Sequence, residues 1–231
     1  MIEADTRLLD DPVWSSLTDR HAHLAQGDAL ARRYVAPISP IGALSGRTPA
    51  HLAALESLVA AGDDVALIGP NVPALAASWE TLYASRLVQM IRPDRSPLPE
   101  GDARVSPLGA ADVPDILELV ALTKPGPFRL RTIELGAYIG IREHGRLVAM
   151  AGERMWIGGF REVSAVCTHP ELQGRGLSRA LVGRVVNRML SRGETPILHV
   201  DNPNLRAIAM YLALGFVRRA EFPLLHARRG T

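Results

Sequence analysis

The sequence predicts a mixed α/β fold, a largely antiparallel sheet flanked by helices, with an N-terminal α/β extension. Three observations carry that expectation. The chain has 231 residues of which 47% are hydrophobic, enough to bury a sizeable core. From residue 103 onward, short apolar runs alternate with segments of helical period in the order β-α-β-β-β-α-β-α-β. Between the two parts lies Arg92 to Gly101, rich in proline and charge, the composition of a linker. The domain boundary is therefore placed there, with an N-terminal α/β region over 1–102 and a larger domain over 103–231.

The elements follow in order. Thr48-Pro49 opens a helix with Leu52, Leu55, Leu58 and Val59 on one face, and Gly62 stops it. Asp64 to Gly69 and Leu87 to Ile91 read as short buried strands. Past the linker, Arg104 to Pro107 is a strand and Ala111 to Leu122 a helix with Ile116, Leu119 and Val120 inward. Thr123 to Phe128 is a loop whose two prolines would make a stiff lid or a plain connector. Ala137 to Arg142, a turn at His144-Gly145, and Leu147 to Trp156 form a hairpin. A second turn at Gly158-Gly159 leads into a third antiparallel strand, Arg161 to Thr168. Leu177 to Leu190 is a helix with Leu177, Leu181, Val185 and Met189 on one face, ended by Gly193. Pro196 to Val200 is a strand. Pro203 to Leu214 is a helix with Asn202 as its N-cap, and the tail from Phe216 adds further strand.

Composition narrows the function. Cys167 is the single cysteine, so neither an intrachain disulfide nor a cysteine-rich zinc site is expected. The seven histidines have no metal-ligand spacing, so no metal is expected. No apolar run approaches the roughly 20 residues of a membrane span, and the start, Met1 to Asp5, is acidic rather than basic then apolar. A cytoplasmic protein without a membrane or nucleic-acid partner is the expectation. Charge is unevenly spread: residues 1–102 carry 8 basic and 13 acidic side chains, residues 103–231 carry 18 and 11. Lys124 is the only lysine. An arginine-rich second half suits an anionic ligand, since guanidinium forks match phosphates and carboxylates.

Two segments carry chemistry. In the first, a strand ending at Val166-Cys167-Thr168 leads through His169-Pro170-Glu171-Leu172 to Gln173-Gly174-Arg175-Gly176-Leu177-Ser178, where a long helix begins. Glycines let the backbone turn tightly and approach a ligand, and successive amides at a helix start favour a pyrophosphate. No Gly-Lys-Ser/Thr follows, so this is not a Walker loop. In the second segment, Asn204, Ala207 and Tyr211 fall on one helix face, with Gly215-Phe216 after it.

Together these segments resemble the GNAT superfamily of acyl-CoA-dependent N-acetyltransferases, and within it the glycine-N-acyltransferase-like branch. The acyl-CoA loop pattern Gln/Arg-x-x-Gly-x-Gly/Ala is met by Gln173, Gly176 and, imperfectly, Ser178. The later pattern Asn-x-x-Ala-x-x-x-Tyr-x-x-x-Gly-Phe is met by Asn204, Ala207, Tyr211, Gly215 and Phe216. The resemblance covers about residues 103–226. It leaves the first hundred residues unmatched, and they are open to reading as a degenerate half of the same fold.

The resemblance implies roles. The main chain of Val166, Cys167 and Thr168 would pair with the pantetheine arm of acetyl-CoA. The amides from Gln173 through Gly174, Arg175, Gly176 and Leu177 to Ser178 would hold its pyrophosphate, and Asn204 would contact the arm. Tyr211 would be the general acid that protonates the departing thiolate. The base stays open between Glu162, in a half-buried strand that would raise its pKa, His199 on the next strand, and no dedicated base. The implied activity is direct acetyl transfer to a primary amine, on a small molecule or a peptide. An acyl-CoA-binding sensor with little turnover is the alternative, and association into a homodimer is left open.

Overall fold

The computed structural model describes residues 5–99 and 101–231; the acidic start at 1–4 and Glu100 of the proline-rich segment lie outside the described residues. The N-terminal region forms α1 (Pro12–Thr18), β1 (Ala25–Gly27), β2 (Ala31–Tyr34), β3 (Ile41–Leu44), α2 (Pro49–Leu58), β4 (Asp64–Ile68) and β5 (Trp79–Ile91). The remainder forms β6 (Ser106–Leu108), α3 (Val113–Thr123), β7 (Tyr138–Glu143), β8 (Arg146–Ile157), β9 (Phe160–Thr168), α4 (Leu177–Ser191), β10 (Thr195–Asp201), α5 (Leu205–Ala213) and β11 (Val217–Arg229). That second run has the order the sequence predicts.

All these strands join one sheet in the order β1-β2-β3-β4-β11-β5-β10-β9-β8-β7-β6. Most neighbours are antiparallel, but β3 pairs with β4 and β9 with β10 in parallel. Each parallel pair needs a crossover helix, and α2 and α4 supply them. The strand order is nearly symmetric about its centre. The first half contributes three antiparallel strands, a helix and a parallel strand, the second half the same with β6 added at its edge, and the last strands β5 and β11 lie side by side in the middle. The sheet therefore runs unbroken past the proline-rich segment, because β5 lies between β11 and β10. That segment is itself pinned to α4: Leu98 donates its amide to Asn187 Oδ1 and accepts from Asn187 Nδ2, both at 2.8 Å.

The core lies on both faces. On one, Leu177, Leu181, Val185 and Met189 of α4 pack with Val88, Met90, Val163 and Leu198. On the other, Leu9, Val13 and Leu17 cover Met155, Ile157, Phe160 and Ile197, while α3 covers Tyr138, Met150 and Cys167. Phe128 is also buried here, its ring 5.3 Å from Tyr138 in an edge-on contact, so the Thr123–Phe128 loop is anchored at its end. No helix among the described residues is long and apolar enough to cross a membrane.

One terminus differs from expectation. The α5 N-cap is Asn204 rather than Asn202, because Asn204 Oδ1 accepts the Ala207 amide at 3.1 Å, and the helix starts two residues later. Sheet regularity also breaks twice along β8 and β9. Ala165 and Val166 together face Ala151, with Ala165 at φ 53°, and Arg154 and Met155 together face Glu162. These are β-bulges, which re-aim side chains.

The β7–β8 pairing yields a packing prediction. A Cβ at Gly152 would lie 2.2 Å from the Tyr138 ring, which covers this glycine across the strands. Gly152→Ala is expected to lower stability by about 1–3 kcal/mol in urea unfolding, as overpacked cores do. An unchanged midpoint and slope would show that the Tyr138 ring is not held there.

Candidate active site

The parallel ladder between β9 and β10 is short. Thr195, Pro196 and Ile197 pair with Phe160, Arg161 and Glu162, and there the pairing ends. Beyond it β9 runs on to Thr168 and β10 to Asp201 without meeting, so the two strands part. His199 marks the opening. Its side chain is 0% exposed, yet the residue as a whole is half-buried, so what solvent reaches is its main chain. Since its other edge pairs with β5, that main chain faces the gap. Val166, Cys167 and Thr168 line the opposite edge. Cys167 is buried, and burial pushes its thiol up to about 11, so the residue serves as a small apolar side chain rather than a nucleophile.

At the mouth of the gap is the glycine loop. Gly174 and Gly176 have φ of 81° and 78°, left-handed conformations that only glycine adopts freely, and a Cβ on either would point into open space. Gly176 is the N-cap of α4 and offers no side-chain cap, so the first-turn amides of Leu177, Ser178 and Arg179 keep their donors for a ligand. Ser178 does not crowd this spot, because its hydroxyl is 2.8 Å from that of Thr168. Gln173 is tied to α5 through Arg206, which donates to its side-chain oxygen at 3.0 Å. Arg175 and Arg179 make no ion pair or hydrogen bond among the described residues.

Tyr211 lies on α5 with 7% exposure, its ring 5.9 Å from Phe216. Its hydroxyl takes part in no hydrogen bond with a described residue. Burial pushes the phenol well above its ordinary value, which keeps the proton in place.

Glu162 is fully buried rather than half-buried, and its pKa moves opposite to expectation. Burial raises it, but the Arg154 guanidinium and the His199 hydrogen bond outweigh burial and hold the carboxyl well below the usual range. Arg154 donates to both oxygens at 2.7 and 2.6 Å, the Met155 amide to Oε2 at 3.2 Å, and His199 Nδ1 is 2.8 Å from Oε1. Every lone-pair direction of the carboxylate is thereby used. The β8 bulge is what brings Arg154 opposite Glu162.

The network extends across the sheet. Gln89 of β5 places its Nε2 3.0 Å from His199 Nε2 and donates to the Leu9 carbonyl at 3.1 Å, while its Oε1 accepts from Arg219 of β11 at 2.9 Å. Arginine only donates, so it fixes the orientation of the Gln89 amide. Gln89 then presents an N–H to His199 Nε2, which leaves Nδ1 to face the Glu162 carboxylate. Sequence reasoning missed Arg154, Gln89 and Arg219. Only Arg154 left a signal, as a charge inside the apolar run Leu147 to Ile157. Asn204, by contrast, turns its carboxamide oxygen to capping α5.

Comparison with known proteins decides the family. A GNAT-family acetyltransferase structure from Novosphingobium aromaticivorans is 36% identical, with a TM-score of 0.88 over 97% of this chain and 99% of that one. The chain belongs to the GNAT family. The family model described as FR47-like protein matches residues 138–222, the stretch holding the parted strands and the glycine loop. Mycothiol acetyltransferase of Kocuria rhizophila is 45% identical over 58 residues, 25% of this chain and 19% of that protein. The L-amino acid N-acyltransferase of Escherichia coli is 27% identical over 108 residues, 45% of this chain and 63% of that one. The chain thus spans less than two thirds of the length of either curated relative. GNAT acetyltransferases use acyl-CoA as co-substrate, and the residues present fit it: an open strand edge, uncapped helix amides, and glycines whose missing Cβ atoms leave the space free.

Two predictions follow from this geometry. Gly176→Val would put a branched side chain at φ 78° in the phosphate's place, and acetyl-CoA binding measured by calorimetry is expected to be lost while the fold is kept. Retained binding would put the ligand elsewhere. Glu162→Gln would leave Arg154 buried without its charge partner and is expected to cost about 3–5 kcal/mol at pH 7 in denaturant unfolding. Because the folded pKa is depressed, the wild-type advantage is complete above the unfolded value of ~4.3 and shrinks as pH falls toward the folded one. An advantage that grows in acid would contradict the pairing.

Proposed function

We propose that this protein is a cytoplasmic N-acetyltransferase that moves the acetyl group of acetyl-CoA directly to a primary amine, on a small molecule or a peptide. The observation that carries the reading is the parting of β9 and β10 beyond Glu162 and Ile197, beside the glycine loop at the start of α4. The main chain of Val166 to Thr168 binds the pantetheine arm, and the amides from Gly174 to Ser178 bind the pyrophosphate, that of Gln173 being taken by the Pro170 carbonyl at 3.3 Å, with Arg175 and Arg179 adding positive charge.

The thioester supplies an activated acetyl group. The amine must lose one proton, and the departing sulfur must gain one. Tyr211 supplies the second: its hydroxyl is protonated, buried and without a hydrogen-bond partner among the described residues, and it gives its proton to the sulfur as the carbon–sulfur bond breaks. Of the two base candidates, Glu162 has no unused lone pair. The His199 Nε2 lone pair is engaged only by the neutral amide of Gln89. His199 therefore takes the amine's proton, through water, and Glu162 holds its Nδ1–H and stabilises the imidazolium, the division of labour of a base and its orienting carboxylate.

We read the N-terminal region as a degenerate copy of the same unit. The β1-β2-β3-α2-β4 order repeats β7-β8-β9-α4-β10, and the gap between β3 and β4 is bridged where Asn71 Nδ2 donates to the Leu44 carbonyl at 3.1 Å.

Thiol release from acetyl-CoA in the presence of pooled amines tests the proposal. Wild type is expected to turn over at least one pool, and Tyr211→Phe to lose about 10²-fold or more in kcat with acetyl-CoA affinity unchanged. Bound acetyl-CoA without release in any pool would favour the sensor reading, and full turnover by Tyr211→Phe would remove the phenol from the mechanism.

A further inference from the structure

The chain of donors ending at Glu162 begins outside the transfer site, at Arg219 on β11, and passes through Gln89 of the N-terminal region. Arg219 sits at a β-bulge of β11, between Arg218, opposite Met90, and Ala220, opposite Gln89. That extra residue lets its guanidinium reach three acceptors besides Gln89: the carbonyls of Thr6 at 2.8 Å and Leu9 at 3.3 Å, and the Asp10 carboxylate. Gln89 is 0% exposed and its amide is fully used, with Oε1 on Arg219 and Nε2 shared between the Leu9 carbonyl and His199. Each bond in the series Arg219, Gln89, His199, Glu162 donates in the same direction, from a fixed cation to a fixed anion. Reversing the Gln89 amide would set its NH2 against a guanidinium that cannot accept. It would also turn an oxygen toward the Leu9 carbonyl.

From this geometry we infer that Gln89 and Arg219 are positioning residues that hold His199 uncharged, with its proton on Nδ1 and its basic lone pair on Nε2. The inference rests on the reading of His199 as the proton acceptor for its functional meaning, though not for its structural content. It gives the N-terminal region a direct part in the reaction. A histidine whose Nδ1 faces a buried carboxylate is drawn toward the imidazolium form, which has no lone pair to receive a proton. Gln89 opposes that by presenting N–H hydrogens to Nε2, where an imidazolium would need an acceptor. The groups around the ring are Glu162 of β9, backed by Arg154 of β8, Gln89 of β5, backed by Arg219 of β11, and the Phe222 ring of β11 at 6.2 Å. A neutral amide yields its place to water more readily than a charged donor would, so the lone pair is kept available.

The test is the 15N spectrum of His199 in the full-length protein at neutral pH, assigned by comparison with His199→Gln. Wild type is expected to show two widely separated ring-nitrogen shifts with the proton on Nδ1, and Gln89→Glu two similar shifts, because a carboxylate would accept from Nε2–H and complete an imidazolium. Gln89→Glu is further expected to lose about 10²-fold in kcat for amine acetylation, with acetyl-CoA affinity unchanged, as befits loss of a general base. Arg219→Leu, which removes the group that orients the amide, is the second variant should Gln89→Glu not fold, and it is expected to lose the single tautomer. An imidazolium or an Nε2–H tautomer in wild type overturns the inference, as does Gln89→Glu with wild-type kcat. A neutral Nδ1–H ring in a protein that acetylates no amine would support the tautomer assignment and count against the catalytic reading alone.

Discussion

Three residue pairs of parallel ladder, ending at Glu162 and Ile197, determine where everything else in this molecule sits. A sheet whose central strands separate exposes unpaired amides and carbonyls on both edges, and such groups are costly unless water or a ligand meets them. Here they border a gap that leads from the uncapped start of α4 toward the buried Glu162. The loop glycines and the β9 bulge at Ala165 lie along it. The chain can keep the gap open because both faces of the sheet are packed: α4 and α5 cover one, and α1 and α3 cover the other.

The closed end of the gap is held by charge rather than by apolar packing. An Arg154–Glu162 pair buried in a sheet is weak evidence of net stability, since desolvation offsets much of the attraction. Its placement is better explained by what it does to His199. The carboxylate stays ionised, every lone pair is committed, and the imidazole is tethered between it and Gln89. Because Gln89 belongs to the N-terminal region and Arg219 to the last strand, the two halves of the chain meet in one hydrogen-bond chain. The side-by-side placement of β5 and β11 is the backbone counterpart of that meeting.

Much of this was legible in the sequence, for local reasons. The order of elements after residue 103 could be read because the helices there have clear apolar stripes and the turns carry glycine, at Gly145, Gly158-Gly159, Gly193 and Gly215. The glycine loop before α4 and the position of Tyr211 on α5 could be read because their spacing is fixed by the helices that carry them. What stayed hidden was non-local. Most of β5 before Leu87 is polar and exposed, so only its last residues look like strand, and nothing local says that it inserts between β11 and β10. The strands β1 to β3 are too short to show a period. Glu162 was expected in a half-buried strand with a raised pKa, and the reversal depends on Arg154, which reaches it only through a bulge that leaves no mark in composition. The N-cap of α5 was misassigned by two residues because Asn202 and Asn204 both suit that role, and only the backbone geometry decides between them.

The central claim is that the cofactor lies along the β9 edge between the parted strands. Amide hydrogen exchange, resolved by residue and measured with and without acetyl-CoA, tests it most directly. The account predicts slowed exchange at Val166, Cys167 and Thr168 and at the first-turn amides Leu177 to Arg179, with β1 to β4 unaffected. Slowing confined to other parts of the sheet, with acetyl-CoA bound and these amides unchanged, would contradict it.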